Sequence, residues 1–292
     1  MSLGKLLAWR EIAGPLYGSE DQALFLYSLV KMYRPRSVVE LGTGLAVSSF
    51  WIAQALRENG EGQILSVDDG SHWQKEAVET VSGPFAELLG RLSEHDSFAS
   101  IFPRGVAPQY FDWLKGLTKE LELVPYVKFV NESLDLSSLA PKSNARLLSL
   151  LQADQIDLLY SDFSHGPQAV LALLSQFLPH MAPSSSILID SASTAWPSYF
   201  VLEQTVAQLN NSKVPAALLV GADPERRARM MEIVATSKFT LLHMVERKDR
   251  SQNGLAWLKI EPVNVVPYPL SAMRNGAGQV IPGAVLESLF RG

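Results

Sequence analysis

A chain of 292 residues without cysteine cannot be a disulfide scaffold and cannot bind a metal through thiolates. Its formal net charge of -5 argues against a nucleic-acid substrate, because binding a polyanion normally requires a basic face. Its apolar runs are too short to cross a membrane, and charged residues near the N-terminus interrupt any signal-peptide core. We therefore expect a cytoplasmic protein that forms one domain over residues 1–292.

Residues 37–49 predict a strand, a tight glycine turn and the start of a helix in immediate succession. Glu40 lies near the end of the strand, and Gly42 and Gly44 form the turn, where the missing Cβ lets the backbone approach a ligand. Such a turn is typical of the ligand crevice of an open α/β sheet. A dinucleotide site requires a third glycine at the position that Val47 occupies, so a nicotinamide-dependent oxidoreductase is disfavoured.

Two further strands are predicted downstream, over residues 63–70 and 126–133, and both end in polar side chains. A carboxylate at the end of the second strand of such a sheet can accept hydrogen bonds from ribose hydroxyls. Polar groups at the end of the third strand could bind the edge of an adenine. The side chains at these two strand ends are Asp68, Asp69, Glu132 and Ser133.

The link between the second and third strands, residues 70–124, is much longer than a single helix requires. Two helices are predicted within this insertion, over residues 74–92 and 108–123. We expect the insertion to be a lid, a homodimer contact or a helical hairpin packed on its own domain. As a lid it would govern substrate access rather than cofactor affinity, and it would become ordered when a ligand binds. The apolar stripe on its second helix consists of Phe111, Leu114, Leu117 and Leu121.

A fourth and a fifth strand, over residues 156–165 and 186–191, flank an amphipathic helix over residues 168–181. Both strand segments carry carboxylates towards their ends. Two later strands, over residues 239–245 and 255–260, predict an antiparallel hairpin, and residues 262–292 form a C-terminal extension. The alternation of strands and helices predicts an α/β fold with a doubly wound, mostly parallel, seven-stranded sheet.

The apolar-apolar-Glu-x-Gly-x-Gly pattern that ends at Gly44 resembles the first motif of class I S-adenosylmethionine-dependent methyltransferases. The order of the strands over residues 20–260 is similar to theirs. Residues 162–165 resemble a segment of small-molecule O-methyltransferases, including the catechol, caffeoyl-coenzyme A and cephalosporin hydroxylase-like groups. The resemblance implies methyl transfer from S-adenosylmethionine to a hydroxyl of a small molecule. Methylation of an amine, or nucleoside binding without turnover, are the alternatives.

The resemblance also implies which residues bind the cofactor. The glycine turn and the first turn of its helix would contact S-adenosylmethionine, and the ends of the second, third and fourth strands would complete the site. Trp73 would stack on the adenine, although ordinary packing in the core is the alternative. The implied cofactor residues are Glu40, Gly42, Thr43, Gly44, Ser48, Asp68, Asp69, Trp73, Glu132, Ser133 and Asp162.

Two routes could make an acceptor hydroxyl nucleophilic. In the metal-dependent relatives, the positions that match Asp162, Asp190 and Ser191 hold a divalent cation such as Mg²⁺. Ser191 departs from that pattern, because a neutral hydroxyl is a weaker ligand than a carboxylate or an amide oxygen. His165 could instead act as a general base, or it could only tie its loop to backbone carbonyls. We expect the metal-free route, with His165 as the catalytic residue.

Aromatic side chains follow the fifth strand closely, at Trp196, Tyr199 and Phe200. They could form a wall for the acceptor, but aromatic residues at a helix start are also common in cores. Together these features predict a small-molecule enzyme that binds neither nucleic acid nor membrane, with a homodimer as an option.

Overall fold

The computed structural model describes residues 2–14, 20–73, 84–104, 108–136, 150, 155–246 and 253–263. Within these ranges, none of the helices has the length and apolar character that a membrane crossing requires. The rest of the insertion and most of the expected C-terminal extension lie outside the described residues.

Seven strands form one sheet in the order β3-β2-β1-β4-β5-β7-β6. Strands β1 to β5 pair in parallel, and β7 runs antiparallel to both β5 and β6. The order reverses direction at β1, so the carboxyl ends of β1 and β4 border a crevice. The strands are β1 (Ser37–Leu41), β2 (Gln63–Asp68), β3 (Val127–Asn131), β4 (Ile156–Ser161), β5 (Met181–Asp190), β6 (Ser237–Met244) and β7 (Leu255–Pro262).

Helices cover both faces of this sheet, which explains why the central strands are apolar on both sides. All five residues of β1 are buried, and successive residues enter different cores. Val38 packs with the N-terminal and insertion helices, whereas Val39 packs with the C-terminal helices. The helices are α1 (Ser2–Ala13), α2 (Glu20–Tyr33), α3 (Val47–Asn59), α4 (Pro84–Glu94), α5 (Tyr110–Glu120), α6 (Pro167–Phe177), α7 (Trp196–Asn210) and α8 (Pro224–Thr236).

The predicted fold class is confirmed, including the antiparallel hairpin that completes the sheet. The predicted boundary between the helix over residues 168–181 and the strand over residues 186–191 is wrong. Helix α6 ends at Phe177, and β5 already begins at Met181. The pairing of β4 with β5 shifts register between Ile156 and Leu158. This irregularity accommodates Pro183, which cannot donate a hydrogen bond to the neighbouring strand.

The described part of the insertion packs against its own chain. Leu114, Leu117 and Leu121 of the expected apolar stripe are buried in the core that α1, α2 and α3 share, and Phe111 packs at its edge. This part of the stripe is therefore not available to a second subunit. Ordering of the insertion on ligand binding stays a prediction, and residues 74–83 and 105–107 lie outside the described residues.

Candidate functional site

The turn after β1 has a backbone that requires glycine at its first position. Gly42 has φ +87°, and a Cβ there would lie 2.2 Å from the backbone oxygen of Asp162. Gly44 has φ +51° and Ala46 has φ +57°, so every second residue from Gly42 to the start of α3 has a left-handed backbone. The turn therefore brings the ends of β1 and β4 into direct backbone contact.

A cavity of about 350 Å³ opens at the carboxyl ends of β1, β2 and β4. This volume is within the range of about 300–1,000 Å³ that is usual for small-molecule sites. The turn and the end of β2 form one side, and the loop after β4 forms another. Among the predicted site residues, those that line the cavity are Gly42, Thr43, Gly44, Ser48, Asp68, Asp69, Trp73, Asp162 and His165.

Asp68 connects the end of β2 to the glycine turn. Its Oδ2 accepts hydrogen bonds from the amides of Thr43 at 2.9 Å and Gly44 at 3.3 Å, and its Oδ1 accepts from the amide of Gly70 at 2.7 Å. The neighbouring Asp69 accepts from Ser71, and that hydrogen bonding lowers the pKa of Asp69. Oδ2 of Asp68 already accepts two hydrogen bonds, but its Oδ1 accepts one and keeps a lone pair. The carboxylate of Asp69 also keeps acceptor sites, so both side chains can still accept ribose hydroxyls.

Glu40 lies beneath the cavity rather than on its surface. Its side chain is fully buried, and it accepts hydrogen bonds from the hydroxyls of Ser48, Ser49 and Ser66. Burial raises the pKa of Glu40 to about 7, even though the three hydroxyls oppose the shift. We infer that Glu40 ties α3 and β2 to β1 beneath the turn, and a direct cofactor contact stays a prediction.

The raised pKa of Glu40 predicts how the stability of the protein depends on pH. The folded state holds this proton more tightly than the unfolded state, so the contribution of Glu40 is largest below pH 4.5 and is lost as pH rises through 7. Relative to the variant Glu40→Gln, the parent should lose up to about 3 kcal/mol of unfolding free energy over this range. Urea unfolding at several pH values measures the difference, with exposed Glu225→Gln as control. A parent-to-variant difference that does not change with pH would contradict the prediction.

The ends of β4 and β5 bring three titratable side chains together. One ligand atom from each of Asp162, His165 and Asp190 lies within 4.8 Å of the other two. The Nε2 of His165 is 3.7 Å from Oδ1 of Asp162, while its buried Nδ1 has no hydrogen-bond partner among the described residues. Two carboxylates and an imidazole fit a divalent cation, and the same imidazole could accept a proton.

Asp190 is held by neutral donors. Its Oδ1 accepts from Nε2 of Gln22 at 2.7 Å, and its Oδ2 accepts from the hydroxyl of Ser191 at 2.8 Å. Ser191 has φ +61°, an uncommon backbone for a residue other than glycine. Its hydroxyl is thus directed at Asp190, and His165 is the third side chain that the geometry brings to the two carboxylates.

Two of the predicted cofactor residues, Glu132 and Ser133, lie outside the described lining of the cavity. Glu132 and Ser133 follow β3, and the amide of Glu132 donates to the backbone oxygen of Asp68 at 3.1 Å. The position of Trp73 is compatible with adenine stacking and with core packing, since it lines the cavity and its ring lies 4.9 Å from that of Trp113. Its stacking on an adenine, like the cofactor contacts of Glu132 and Ser133, stays a prediction.

Several cavity residues were missed by the sequence analysis. Helix α2 contributes Gln22, and Gln22 also donates to the hydroxyl of Tyr160 at 3.1 Å. No motif marks this helix, and only its position before β1 could have suggested a role. Tyr160 lies within β4, where an aromatic residue is indistinguishable from core. The missed lining residues are Gln22, Ala23, Leu26, Leu45, Val47, Ser71, Tyr110, Tyr160 and Phe163.

Solved structures with a similar architecture include an O-methyltransferase from Bacillus cereus in complex with S-adenosylhomocysteine. It is 17% identical with a TM-score of 0.47, and the match covers 89% of this chain and 90% of that one. The O-methyltransferase TomG from Streptomyces achromogenes, in complex with S-adenosylmethionine, is 15% identical with a TM-score of 0.45 and 89% coverage of both chains. The S-adenosylhomocysteine-bound methyltransferase PaMTH1 from Podospora anserina is 12% identical with a TM-score of 0.40, and covers 87% and 86%.

The fold is assigned from the order of the strands in the sheet of this chain. A search of curated proteins gives no significant match. The model of a family described as a methyltransferase domain matches residues 39–192, which are more than half of the chain. That segment runs from β1 through β5 and includes the glycine turn, Asp68 and the Asp162 cluster. The chain therefore belongs to this methyltransferase-domain family.

Proposed function

We propose that this methyltransferase uses S-adenosylmethionine to methylate a hydroxyl of a small molecule. The observation that carries the proposal is that one cavity joins the Asp68-supported glycine turn to Asp162 and His165. The carboxylates of Asp68 and Asp69 suit ribose hydroxyls and a positively charged ligand, and they disfavour a pyrophosphate. When bound, S-adenosylmethionine supplies an electrophilic methyl group.

The residues of this chain would then position the acceptor and remove its proton. The imidazole of His165 would accept the hydroxyl proton of the acceptor as the methyl group is transferred. Oδ1 of Asp162 lies 3.7 Å from Nε2 of His165 and would help to orient the ring. Burial raises the pKa of Tyr160, so its hydroxyl remains a neutral group at the cavity wall.

A divalent cation is the alternative source of activation. Asp162, Asp190 and His165 would hold it, and the cation would lower the pKa of a bound hydroxyl. We favour the metal-free route, because the hydroxyl of Ser191 replaces the stronger ligand of the metal-dependent relatives and instead donates to Asp190. The proposal includes a cytoplasmic location, and a homodimer remains compatible with it.

Exposed aromatic side chains near the site support an apolar or aromatic acceptor. Trp196 and Phe200 occupy the first two turns of α7 and are 67% and 52% exposed. The hydroxyl of Ser198, between them, donates to the backbone oxygen of His165 and so joins α7 to the loop after β4. Phe163 of that loop lines the cavity and is itself partly exposed.

The test has a binding step and a turnover step. Calorimetry with S-adenosylmethionine, S-adenosylhomocysteine, NAD and NADP should show binding of the first two only, since the native state is stabilised by its own ligand. Release of S-adenosylhomocysteine is then measured with catechol and, as the matched amine, with aniline. Turnover of catechol is expected; preference for NAD, or turnover of aniline alone, would overturn the cofactor or the hydroxyl assignment respectively.

A further inference from the structure

Two consecutive backbone carbonyls of the glycine turn accept hydrogen bonds from aromatic side chains. The hydroxyl of Tyr110 donates to the oxygen of Gly44 at 2.7 Å. The indole Nε1 of Trp9 donates to the oxygen of Leu45 at 3.1 Å. Trp9 belongs to α1, before the segment that the family model matches, and Tyr110 belongs to the long insertion. Neither element is part of the strands that form the turn.

The two donors belong to one buried aromatic cluster. The ring of Trp113 lies 5.8 Å from that of Trp9 and 5.4 Å from that of Tyr110. All three side chains are at most 3% exposed. Tyr110 also packs 6.2 Å from Trp73, which lines the cavity. Because the cluster is densely packed, it holds both donors in fixed positions.

The hydrogen bonds from Tyr110 and Trp9 stabilise a turn whose backbone is strained. Left-handed backbone at Ala46, which has a Cβ, costs free energy that the surrounding structure must compensate. The same turn directs the amides of Thr43 and Gly44 at Asp68. Fixing the carbonyls of Gly44 and Leu45 fixes the peptide planes on either side of Leu45, and thus the orientation of this part of the cavity wall.

We propose that Tyr110 and Trp9 are positioning residues for the cofactor, acting through the carbonyls of the turn. The inference rests on the proposed cofactor, and it gives the insertion and α1 a direct effect on cofactor affinity. This differs from the expectation that the insertion governs only substrate access. It follows that the chain needs both elements to bind the cofactor tightly, although neither lies in the strands of the family segment.

The experiment measures the affinity for S-adenosylhomocysteine by calorimetry and the melting temperature of each variant. Tyr110→Phe removes one hydroxyl and keeps the ring, and it should weaken binding about 3- to 10-fold through the lost hydrogen bond. Trp9→Phe should weaken binding to a similar extent. Trp9 is not part of the described cavity lining, so its effect must pass through the turn.

Trp113→Phe is the matched control, because Trp113 lies in the same cluster but its buried Nε1 has no hydrogen-bond partner in the part of the chain that the structure describes. This variant should lower the melting temperature as Trp9→Phe does, yet leave the affinity within about twofold of the parent. Unchanged affinity in Tyr110→Phe and Trp9→Phe, or equal loss in Trp113→Phe, would overturn the inference. If the parent does not bind S-adenosylhomocysteine, the proposed cofactor itself is wrong.

Discussion

Replacement of Asp68 by alanine should weaken the binding of S-adenosylhomocysteine by about 10- to 100-fold. A charge-assisted hydrogen bond to a ribose hydroxyl is worth about 1.5–3 kcal/mol. The same substitution leaves the amides of Thr43, Gly44 and Gly70 without their acceptor, so the turn also loses its support from β2. Calorimetry on protein whose folding is verified by circular dichroism measures the change.

Asp68→Asn separates the two effects. The amide keeps the shape and one oxygen acceptor, so it can preserve part of the backbone contacts while it removes the negative charge. We expect an affinity between those of the parent and Asp68→Ala. Glu225→Gln, which changes an exposed carboxylate of α8, is the control and should leave the affinity unchanged. An unchanged affinity in Asp68→Ala would mean that the cofactor site lies elsewhere.

Replacement of His165 by alanine should lower turnover by about 10²- to 10⁴-fold, the usual contribution of a general base. The affinity for S-adenosylhomocysteine should change little, because the imidazole belongs to the Asp162 end of the cavity. On this route the parent remains active in EDTA. His180→Ala provides a control, since His180 is a histidine at the opposite end of α6.

The metal route predicts a different pattern. Activity would then be lost in EDTA and restored by Mg²⁺ or Mn²⁺, and Asp190→Asn would be nearly inactive even though it keeps an oxygen for Gln22. Chelator-sensitive turnover would therefore contradict our preference and assign Asp162, Asp190 and His165 to the cation. Chelator-resistant turnover that survives in His165→Ala would exclude both routes.

Helix α2, which precedes the segment that the family model matches, contacts the candidate site through Gln22. Gln22 donates to both Asp190 and Tyr160, so its side-chain amide holds the acid of β5 and the phenol of β4 at a fixed distance. Both donors to the Asp190 carboxylate within the described residues, Gln22 and Ser191, are neutral groups.

The sheet, the glycine turn and the proximity of Asp162, His165 and Asp190 could be predicted from the sequence alone. These features follow from local patterns. Buried strands are apolar on both faces, and the turn at Gly42 has no room for a Cβ. Parallel strands bring their carboxyl ends to one edge of the sheet. Residues that directly follow neighbouring strands must therefore lie close together, whatever the rest of the chain does.

The other side chains at the site could not be predicted from the sequence, because long-range packing places them there. Gln22 of α2 and Tyr110 of the insertion line the cavity, and Trp9 of α1 contacts the glycine turn. These two helices and the insertion are placed by long-range packing, and no spacing in the sequence encodes those contacts. The side chain of Glu40 lies between β1 and α3, where it accepts hydrogen bonds from three hydroxyls, and its contact with the cofactor stays a prediction. A strand residue alternates between faces, and the side that carries the helix is a property of the assembled layers.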